Sequence, residues 1–199
     1  MTFTDFNLTK NADGLLPVII QDNATLRVLM LGYMNEEAFL KTQESGLVTF
    51  YSRSRQTLWT KGETSNNFLH VVEMYADCDA DTLLIKARPD GPTCHRGTTA
   101  CWDTPAADGF LGELEQCVQQ RHRDMPLGSY TTYLFEKGIN RMAQKVGEEA
   151  VETVIEATTG NRAKYVEEAS DLLYHLLVLN EQMGVTLKDL QEELVSRHK

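Results

Sequence analysis

The pattern of hydrophobic and polar residues changes period partway along the chain. Between residues 15 and 88, short runs rich in β-branched and aromatic residues predict strands at 15–21, 26–34, 48–53, 57–60, 68–76 and 82–88. Residues 22–25 predict a hairpin turn between the first two strands. One helix is predicted among the strands, with Asn35 as N-cap and Gly46 as its stop. The first half is therefore expected to be α+β, mainly β.

Beyond residue 109, apolar residues recur at helical spacing to the end of the chain. Helices are predicted at 110–121, 130–137, 139–157, 162–183 and 186–197. Ser129 and Thr186 are the expected N-caps of two helices, and Gly160 and Gly184 are expected to end two others. The longest apolar stripe, which predicts a core contact, comprises Met142, Val146, Ala150, Val154 and Ala157. The second half is expected to be an all-α helical bundle.

A segment of Asp, Thr, Pro, Ala and Gly separates the two halves at residues 103–109 and predicts a linker. The expected domains are therefore residues 1–108 and 109–199. With 42% hydrophobic residues in 199, the chain has enough apolar side chains for each domain to bury a core without disulfides.

The formal net charge of −10 is spread over both halves. Residues 1–108 contain nine Lys and Arg against fourteen Asp and Glu, and residues 109–199 contain ten against fifteen. Neither half offers a basic surface to replace counterions, so no nucleic-acid partner is expected. Residues 1–10 lack a basic start, and the apolar run at 15–20 is too short for a signal sequence or a membrane span. We therefore expect a cytoplasmic protein that has no membrane partner.

The motif Asp-Cys-Asp-Ala-Asp at residues 77–81 alternates hard oxygen ligands with a soft thiolate. Carboxylates favour Mg²⁺, Ca²⁺ or Mn²⁺ and thiolates favour Zn²⁺, so the motif suggests two different ions close together. On an extended strand the three aspartates would face one way and Cys78 the other. Asp77 and Asp81 would then lie roughly 13 Å apart, so the segment must bend if all three carboxylates bind one ion.

Two further thiols, Cys94 and Cys101, lack the Cys-x-x-Cys spacing of structural zinc sites. They indicate either a catalytic zinc site or buried free thiols. His95 is open to three interpretations: a catalytic base, a fourth ligand, or an ordinary hydrogen-bonded residue. A calcium loop of the EF-hand type is not predicted, because Thr82 stands where that loop needs Gly and Arg88 where it needs Glu.

Residue types suited to phosphate binding occur at two places in the first half. They are Arg53, Ser54 and Arg55, followed by Lys61, Thr64 and Ser65. Between these groups, Trp59 is either a core aromatic residue or a surface on which a base stacks.

Taken together, these motifs resemble phosphoribosyl-AMP cyclohydrolase of histidine biosynthesis over residues 15–102. The resemblance is carried by Leu-Pro-Val at 16–18, Met-Asn-Glu-Glu-Ala at 34–38, Tyr-Ser-Arg-Ser-Arg at 51–55, Lys-Gly-Glu-Thr-Ser at 61–65, Asp-Cys-Asp-Ala-Asp at 77–81, Cys-His at 94–95, and Cys101. It implies a homodimer in which Cys78 of one subunit joins Cys94 and Cys101 of the other on Zn²⁺. It also implies that Asp77, Asp79 and Asp81 hold Mg²⁺.

The reaction implied by this resemblance is hydrolytic opening of the adenine ring between N1 and C6 by zinc-activated water. His95 and Glu63 are the candidates for proton transfer to N1. The expected substrate-binding residues are Arg53, Ser54, Arg55, Trp59, Lys61, Thr64 and Ser65. Zinc deaminases attack the same carbon, but their His-x-Glu and Pro-Cys-x-x-Cys signature is absent, which favours ring opening over deamination.

A second acidic constellation lies in the helical half, where Glu149 precedes Glu152 by one turn and Glu168 precedes Asp171 by one turn. Like charges so placed repel unless a cation lies nearby. Two facing helices with such pairs could hold Mg²⁺, although solvated helix faces are the alternative interpretation.

The helical half resembles phosphoribosyl-ATP pyrophosphatase and, more broadly, the all-α nucleotide pyrophosphohydrolases, over residues 111–199. The segments concerned are 129–135, 145–152 and 167–175. The resemblance implies Mg²⁺ on Glu149, Glu152, Glu168 and Asp171, and release of pyrophosphate from phosphoribosyl-ATP. Lys145, as a catalytic residue, and Arg141, as a substrate-binding residue, would offset phosphate charge. His175 is expected to be a hydrogen-bonded core residue, and Cys117 is expected to pack rather than bind metal.

We therefore expect a bifunctional hydrolase in which the helical half makes the substrate of the first half. One alternative is a broad nucleotide pyrophosphatase whose zinc domain only binds and dimerises. Another is a zinc-stabilised regulatory module that binds adenylates without turnover.

Overall fold

The computed structural model describes residues 1–102 and 109–198. All but the last residue of the predicted linker lie outside the described residues. The chain divides into two compact units, Met1–Gly109 and Phe110–Lys199. Each unit has its own hydrophobic core.

A four-stranded sheet in the order β2-β1-β6-β5 forms the framework of the first unit. Its strands are β1 (Leu16–Asp22), β2 (Val28–Met34), β5 (Leu69–Ala76) and β6 (Leu83–Pro89). The central pair, β1 and β6, is parallel, whereas β2 and β5 are antiparallel to their neighbours. A separate antiparallel hairpin contains β3 (Thr49–Ser52) and β4 (Thr57–Thr60), and helix α1 spans Glu36–Ser45. The predicted α+β class is confirmed.

Alternation along β1 shows how the first core is built. Leu16, Val18 and Ile20 are fully buried, while the residues between them are partly exposed. Since successive side chains of a strand face opposite sides, these three residues all face the core to which Phe39 of α1 also belongs. The hairpin turn after β1 is also confirmed, because the Asp22 carboxylate accepts hydrogen bonds from the two backbone N–H groups of residues 24 and 25.

Helices make up the second unit: α2 (Phe110–Asp124), α3 (Tyr130–Lys137), α4 (Ile139–Thr159), α5 (Arg162–Met183) and α6 (Leu187–Arg197). The Ser129 side chain accepts a hydrogen bond from the N–H of Thr132, which confirms the N-cap of α3. Gly160 and Gly184 end α4 and α5 in the left-handed conformation, as predicted. The core of this unit comprises Val118, Leu134, Phe135, Met142 and Val178. The predicted all-α class is confirmed.

The apolar stripe of α4 is not the core stripe that the sequence predicts. Met142 is fully buried, but Val154 exposes 61% of its surface. The prediction is wrong for the second half of the helix, because α4 directs Glu149 toward α5 and leaves Val154 exposed. The packing predicted for Cys117 is also wrong, since this thiol is exposed and the neighbouring Val118 packs into the core. Among the described residues, no helix is long and apolar enough to cross a membrane.

Candidate active sites

A cavity of about 490 Å³ lies in the first unit beside two of the predicted zinc ligands. Its lining includes Met30, Trp59, Lys61, Thr64, Ser65, Asn67, Thr93, Cys94, His95 and Cys101. The cavity therefore combines two thiols, an imidazole, an ammonium and hydroxyl groups with apolar side chains in one lining. Such a mixture of apolar lining and a few convergent polar groups is typical of a small-molecule site.

Backbone hydrogen bonds bring Cys94 and Cys101 together although six residues separate them. The N–H of Cys94 donates to the Thr98 carbonyl at 3.0 Å, and the N–H of Gly97 donates back to the Cys94 carbonyl at 3.0 Å. Gly97 has a φ of +82°, which a residue with a side chain rarely adopts. The N–H of Cys101 then donates to the Leu29 carbonyl of β2 at 2.8 Å. A tight turn anchored to the sheet thus positions both thiols.

The two thiols have opposite pKa shifts. The backbone N–H of Arg96 is the main cause that lowers the pKa of Cys94. Burial, followed by the nearby charge of Cys94, raises the pKa of Cys101. Burial also lowers the pKa of the Lys61 ammonium, and the two thiolates partly oppose this effect. A soft divalent cation would stabilise both thiolates at once, so this donor set fits Zn²⁺.

His95 and Trp59 are both placed at the cavity. The Nδ1 atom of His95 lies 3.9 Å from the Cys94 sulfur. The Trp59 ring packs against Phe50, with 5.6 Å between centroids, and also lines the cavity. Trp59 is therefore both a packing residue and a cavity wall, so the two interpretations made from the sequence are compatible.

Several predicted site residues do not line this cavity. The Glu63 carboxylate accepts a hydrogen bond from the Thr60 N–H at 3.1 Å. The guanidinium of Arg53 lies over the Tyr33 ring at 3.7 Å from the centroid. Ser54 and Arg55 are exposed in the turn between β3 and β4. The structure brings Lys61, Thr64 and Ser65 to the cavity and leaves the Arg53–Arg55 group outside its lining.

The three aspartates lie in the turn between β5 and β6. Strand β5 ends at Ala76, so the extended geometry considered for residues 77–81, with Cys78 opposite the carboxylates, does not occur. The Asp77 carboxylate accepts hydrogen bonds from the N–H groups of Asp81 (2.9 Å) and Thr82 (3.1 Å). The turn brings one oxygen from each of Asp77, Asp79 and Asp81 within 4.8 Å of the others. This set of hard oxygen donors fits Mg²⁺.

Cys78 is exposed in the same turn and does not line the cavity that contains the other two thiols. Lys10 contacts the turn instead, although no sequence pattern pointed to it. Its ammonium donates to the carboxylates of Asp79 and of Asp81, the latter at 2.9 Å. The bond from Lys10 is the main cause that lowers the pKa of Asp81. Lys10 lies about seventy residues from Asp79 and Asp81 in the sequence, so spacing along the chain could not reveal these contacts.

Helices α4 and α5 bring together a second acidic cluster. One oxygen from each of Glu149, Glu168 and Asp171 lies within 4.8 Å of the others, and Glu149 is buried. Glu152 is not in this triple, but its charge, after burial, raises the pKa of Glu168. Carboxylates gathered from two helices, with one of them buried, form an oxygen-rich set that fits Mg²⁺.

Two basic residues of α4 lie at this acidic cluster or beside it. Lys145 pairs with Glu149 and, at 3.0 Å, with Glu148, and these bonds raise the pKa of Lys145. Arg141 lies 3.4 Å from Glu148. Lys145 thus contacts the acidic cluster itself, and Arg141 contacts the neighbouring Glu148.

His175 is buried as predicted, but it is not fully hydrogen-bonded. Its Nε2 atom lies 3.8 Å from a Glu149 oxygen, and its Nδ1 atom has no hydrogen-bond partner among the described residues. Burial is the main cause that lowers its pKa. The sequence suggested a core residue because leucines flank His175, yet the structure places it beside a candidate ligand.

Comparison with known proteins identifies both halves. The family model of phosphoribosyl-AMP cyclohydrolase matches residues 30–103, and that of phosphoribosyl-ATP pyrophosphohydrolase matches residues 111–198. The chain is 57% identical to the histidine biosynthesis bifunctional protein HisIE of Bacteroides thetaiotaomicron, over 94% of this chain and 93% of the relative. It is 58% identical to the HisIE protein of Xylella fastidiosa, over 94% and 90%.

A third relative, the HisIE protein of Vibrio vulnificus, is 50% identical over 96% of this chain and 92% of its own length. Both family matches and these nearly full-length relatives agree with the resemblance found in the sequence motifs. The chain therefore belongs to the family of bifunctional histidine biosynthesis proteins that combine a phosphoribosyl-AMP cyclohydrolase with a phosphoribosyl-ATP pyrophosphohydrolase.

Proposed function

We propose that the chain catalyses two successive hydrolyses: the helical unit converts phosphoribosyl-ATP to phosphoribosyl-AMP and pyrophosphate, and the first unit then opens the adenine ring at N1–C6. The observation that carries this proposal is the pair of distinct donor sets in separate units. One set contains thiols beside an apolar cavity, and the other contains carboxylates beside basic residues. The proposed catalytic domains are residues 1–108 and 109–199, one residue from the division between the two compact units.

In the first unit, Cys94 and Cys101 would hold Zn²⁺, which supplies an activated water for attack on adenine C6. His95 is at the cavity and near Cys94, so it is the better placed of the two proton-transfer candidates. Glu63 would act in proton transfer only if its carboxylate gave up the hydrogen bond from the Thr60 N–H. Lys61, Thr64 and Ser65 line the cavity and are suited to bind the substrate, with Trp59 as a wall for the base.

The third zinc ligand is Cys78 of a second subunit in a homodimer. Its exposure at the tip of a turn, away from the cavity of its own chain, supports this assignment. Asp77, Asp79 and Asp81 would hold Mg²⁺ in the same turn. Arg53, Ser54 and Arg55 are exposed, which supports a role in contacting the phosphates of a substrate. The protein would act in the cytoplasm.

In the helical unit, Glu149, Glu168 and Asp171 would hold Mg²⁺, with Glu152 as a further ligand. Magnesium bound there would supply positive charge to offset that of the substrate phosphates. Lys145 and Arg141 already pair with Glu148 beside the cluster, so both can turn to offset the charge of the leaving pyrophosphate.

Two substitutions test whether the sites work separately. Cys94→Ser should lower ring opening by about 100-fold or more and leave pyrophosphate release unchanged, since metal catalysis supplies several kcal/mol. Glu149→Gln should have the reverse effect for the same reason. Matched controls are Cys117→Ser, an exposed thiol, and Glu192→Gln, an exposed carboxylate of α6. Each activity is measured with its own substrate, and loss of both activities in either variant would contradict the proposal.

Substrate choice separates the proposal from a broad nucleotide pyrophosphatase. We expect efficient cleavage of phosphoribosyl-ATP and slow cleavage of ATP under the same conditions. Efficient ATP cleavage without any ring opening of phosphoribosyl-AMP would favour the broader activity instead.

A further inference from the structure

The Lys10 ammonium contacts two of the three carboxylates that would hold the proposed Mg²⁺. It contacts Oδ2 of Asp79 and, at 2.9 Å, Oδ2 of Asp81. Asp77, the third carboxylate, lies within 4.8 Å of the same pair through its nearest oxygens. Lys10 therefore neutralises part of a cluster of three negative charges.

The N-terminal segment seats Lys10 through contacts of its own. The N–H of Asn7 donates to the Ala80 carbonyl in the middle of the aspartate turn, at 2.6 Å. Phe3 and Phe6 pack against Phe39 of α1, with centroid separations of 5.7 and 5.8 Å. The segment is thus anchored at both the core and the turn, and it delivers Lys10 to the carboxylates. The family model begins at residue 30, so the match that identified the first unit does not include this segment.

A single ammonium and a divalent cation cannot both use these oxygens. Mg²⁺ requires close octahedral contacts at about 2.0–2.1 Å and gains most from oxygens that have no other cation beside them. Two cations on the same pair of carboxylates would also repel each other. Binding of the metal by these two Oδ2 atoms thus requires the ammonium to leave.

The ion pairs are exposed enough to exchange. The side chains of Lys10 and Asp79 are 52% and 51% exposed, whereas that of Asp81 is 22% exposed. Exposed ion pairs contribute little free energy, because water screens them and both side chains lose freedom. A divalent ion can therefore displace Lys10, and Lys10 still lowers the apparent affinity of the turn for that ion.

We infer that Lys10 is a tethered competitor of the divalent cation: Mg²⁺ binds the turn at 77–81 by displacing the Lys10 ammonium. Lys10 thereby stabilises the cluster while the metal is away and sets the metal concentration at which the turn fills. This inference rests on the proposed Mg²⁺ site of the first unit.

The test is a Mg²⁺ titration of the whole zinc-loaded chain. NMR monitors the titration through the amide signals of Ala80 and Asp81. These signals report the turn alone, so metal binding by the helical unit does not interfere. Lys10→Met should bind Mg²⁺ about threefold to tenfold more tightly than the unaltered chain, as expected for loss of weak exposed ion pairs. Lys10→Arg, which keeps the charge, should stay within about twofold of the unaltered chain. The matched control Lys41→Met removes an exposed charge from α1 and should also have no effect.

A second measurement does not depend on any variant. In the unaltered protein, the ¹⁵N signal of the Lys10 ammonium should move to the position of a free lysine as Mg²⁺ saturates the turn. The inference would be overturned if the Lys10 ¹⁵N signal did not move, or if Lys10→Met bound Mg²⁺ no more tightly than the unaltered chain. Either result would leave the proposed Mg²⁺ site uncontradicted. No response of Ala80 and Asp81 in either protein would overturn the Mg²⁺ site together with the inference.

Discussion

Asp77 does two things that its position in the motif does not reveal. Its carboxylate accepts hydrogen bonds from the N–H groups of Asp81 and Thr82, and this folds the turn. The same carboxylate belongs to the acidic triple. The sequence predicted that the segment must bend if its aspartates share an ion. It did not predict that one of the aspartates makes the bend.

Substituting Asp77 separates these roles. Asp77→Ala removes the acceptor, so the Asp81 and Thr82 amides should exchange with solvent about fivefold faster, as expected from loss of a hydrogen bond worth roughly 1 kcal/mol. Asp77→Asn keeps a side-chain carbonyl that can accept both bonds, so exchange should stay near that of the unaltered chain. Hydrogen exchange followed by NMR measures both effects. Equal acceleration in the two variants would mean that the charge, rather than the acceptor, folds the turn.

Whole elements were predicted closely because their ends carry local signals. The capping box of α6 is an example: the Thr186 hydroxyl accepts from the Asp189 N–H at 3.2 Å, and the Asp189 carboxylate accepts from the Thr186 N–H at 2.7 Å. The sequence predicted Thr186 as the N-cap of this helix. Burial along α4 was predicted less well, because a helix with both an apolar and an acidic stripe can turn either one toward its neighbour.

The capping box gives a pH prediction. Hydrogen bonds from Thr186 lower the pKa of Asp189 below its usual 3.8. Because the folded pKa is below the unfolded value, the carboxylate stabilises the fold above about pH 4, and this contribution is lost as the pH falls through the folded pKa. An NMR titration should give a pKa below 3.8 for Asp189, and Thr186→Ala should raise it toward that value. Ser196→Ala, in the last turn of α6, should leave it unchanged.

At the scale of the whole molecule, the two units have separate cores and separate candidate sites. Leu134 is fully buried in the core of the helical unit, and Leu83 is fully buried in that of the first unit. A cavity made in one core leaves the packing of the other unchanged. The two activities should therefore differ in their response to core substitutions.

Leu134→Ala should destabilise the helical unit by about 2–5 kcal/mol, since truncation of a buried leucine leaves a cavity. Pyrophosphate release should then be lost at a lower temperature, whereas ring opening should persist. The reciprocal control, Leu83→Ala, should reverse this order. Thermal inactivation of the two activities in one preparation measures both, and simultaneous loss in either variant would contradict independent cores.

The sequence by itself determined the periodicities, caps and ligand types of this protein, and with them both fold classes and the family. These are local properties, since a strand, a cap or a metal-binding side chain depends on residues only a few positions apart. Only the tertiary structure decided that Lys10 meets Asp79 and that His175 meets Glu149. It also decided that α4 directs Glu149 inward and leaves Val154 exposed. These outcomes depend on how the chain returns to itself across tens of residues, and no spacing along the sequence encodes that path.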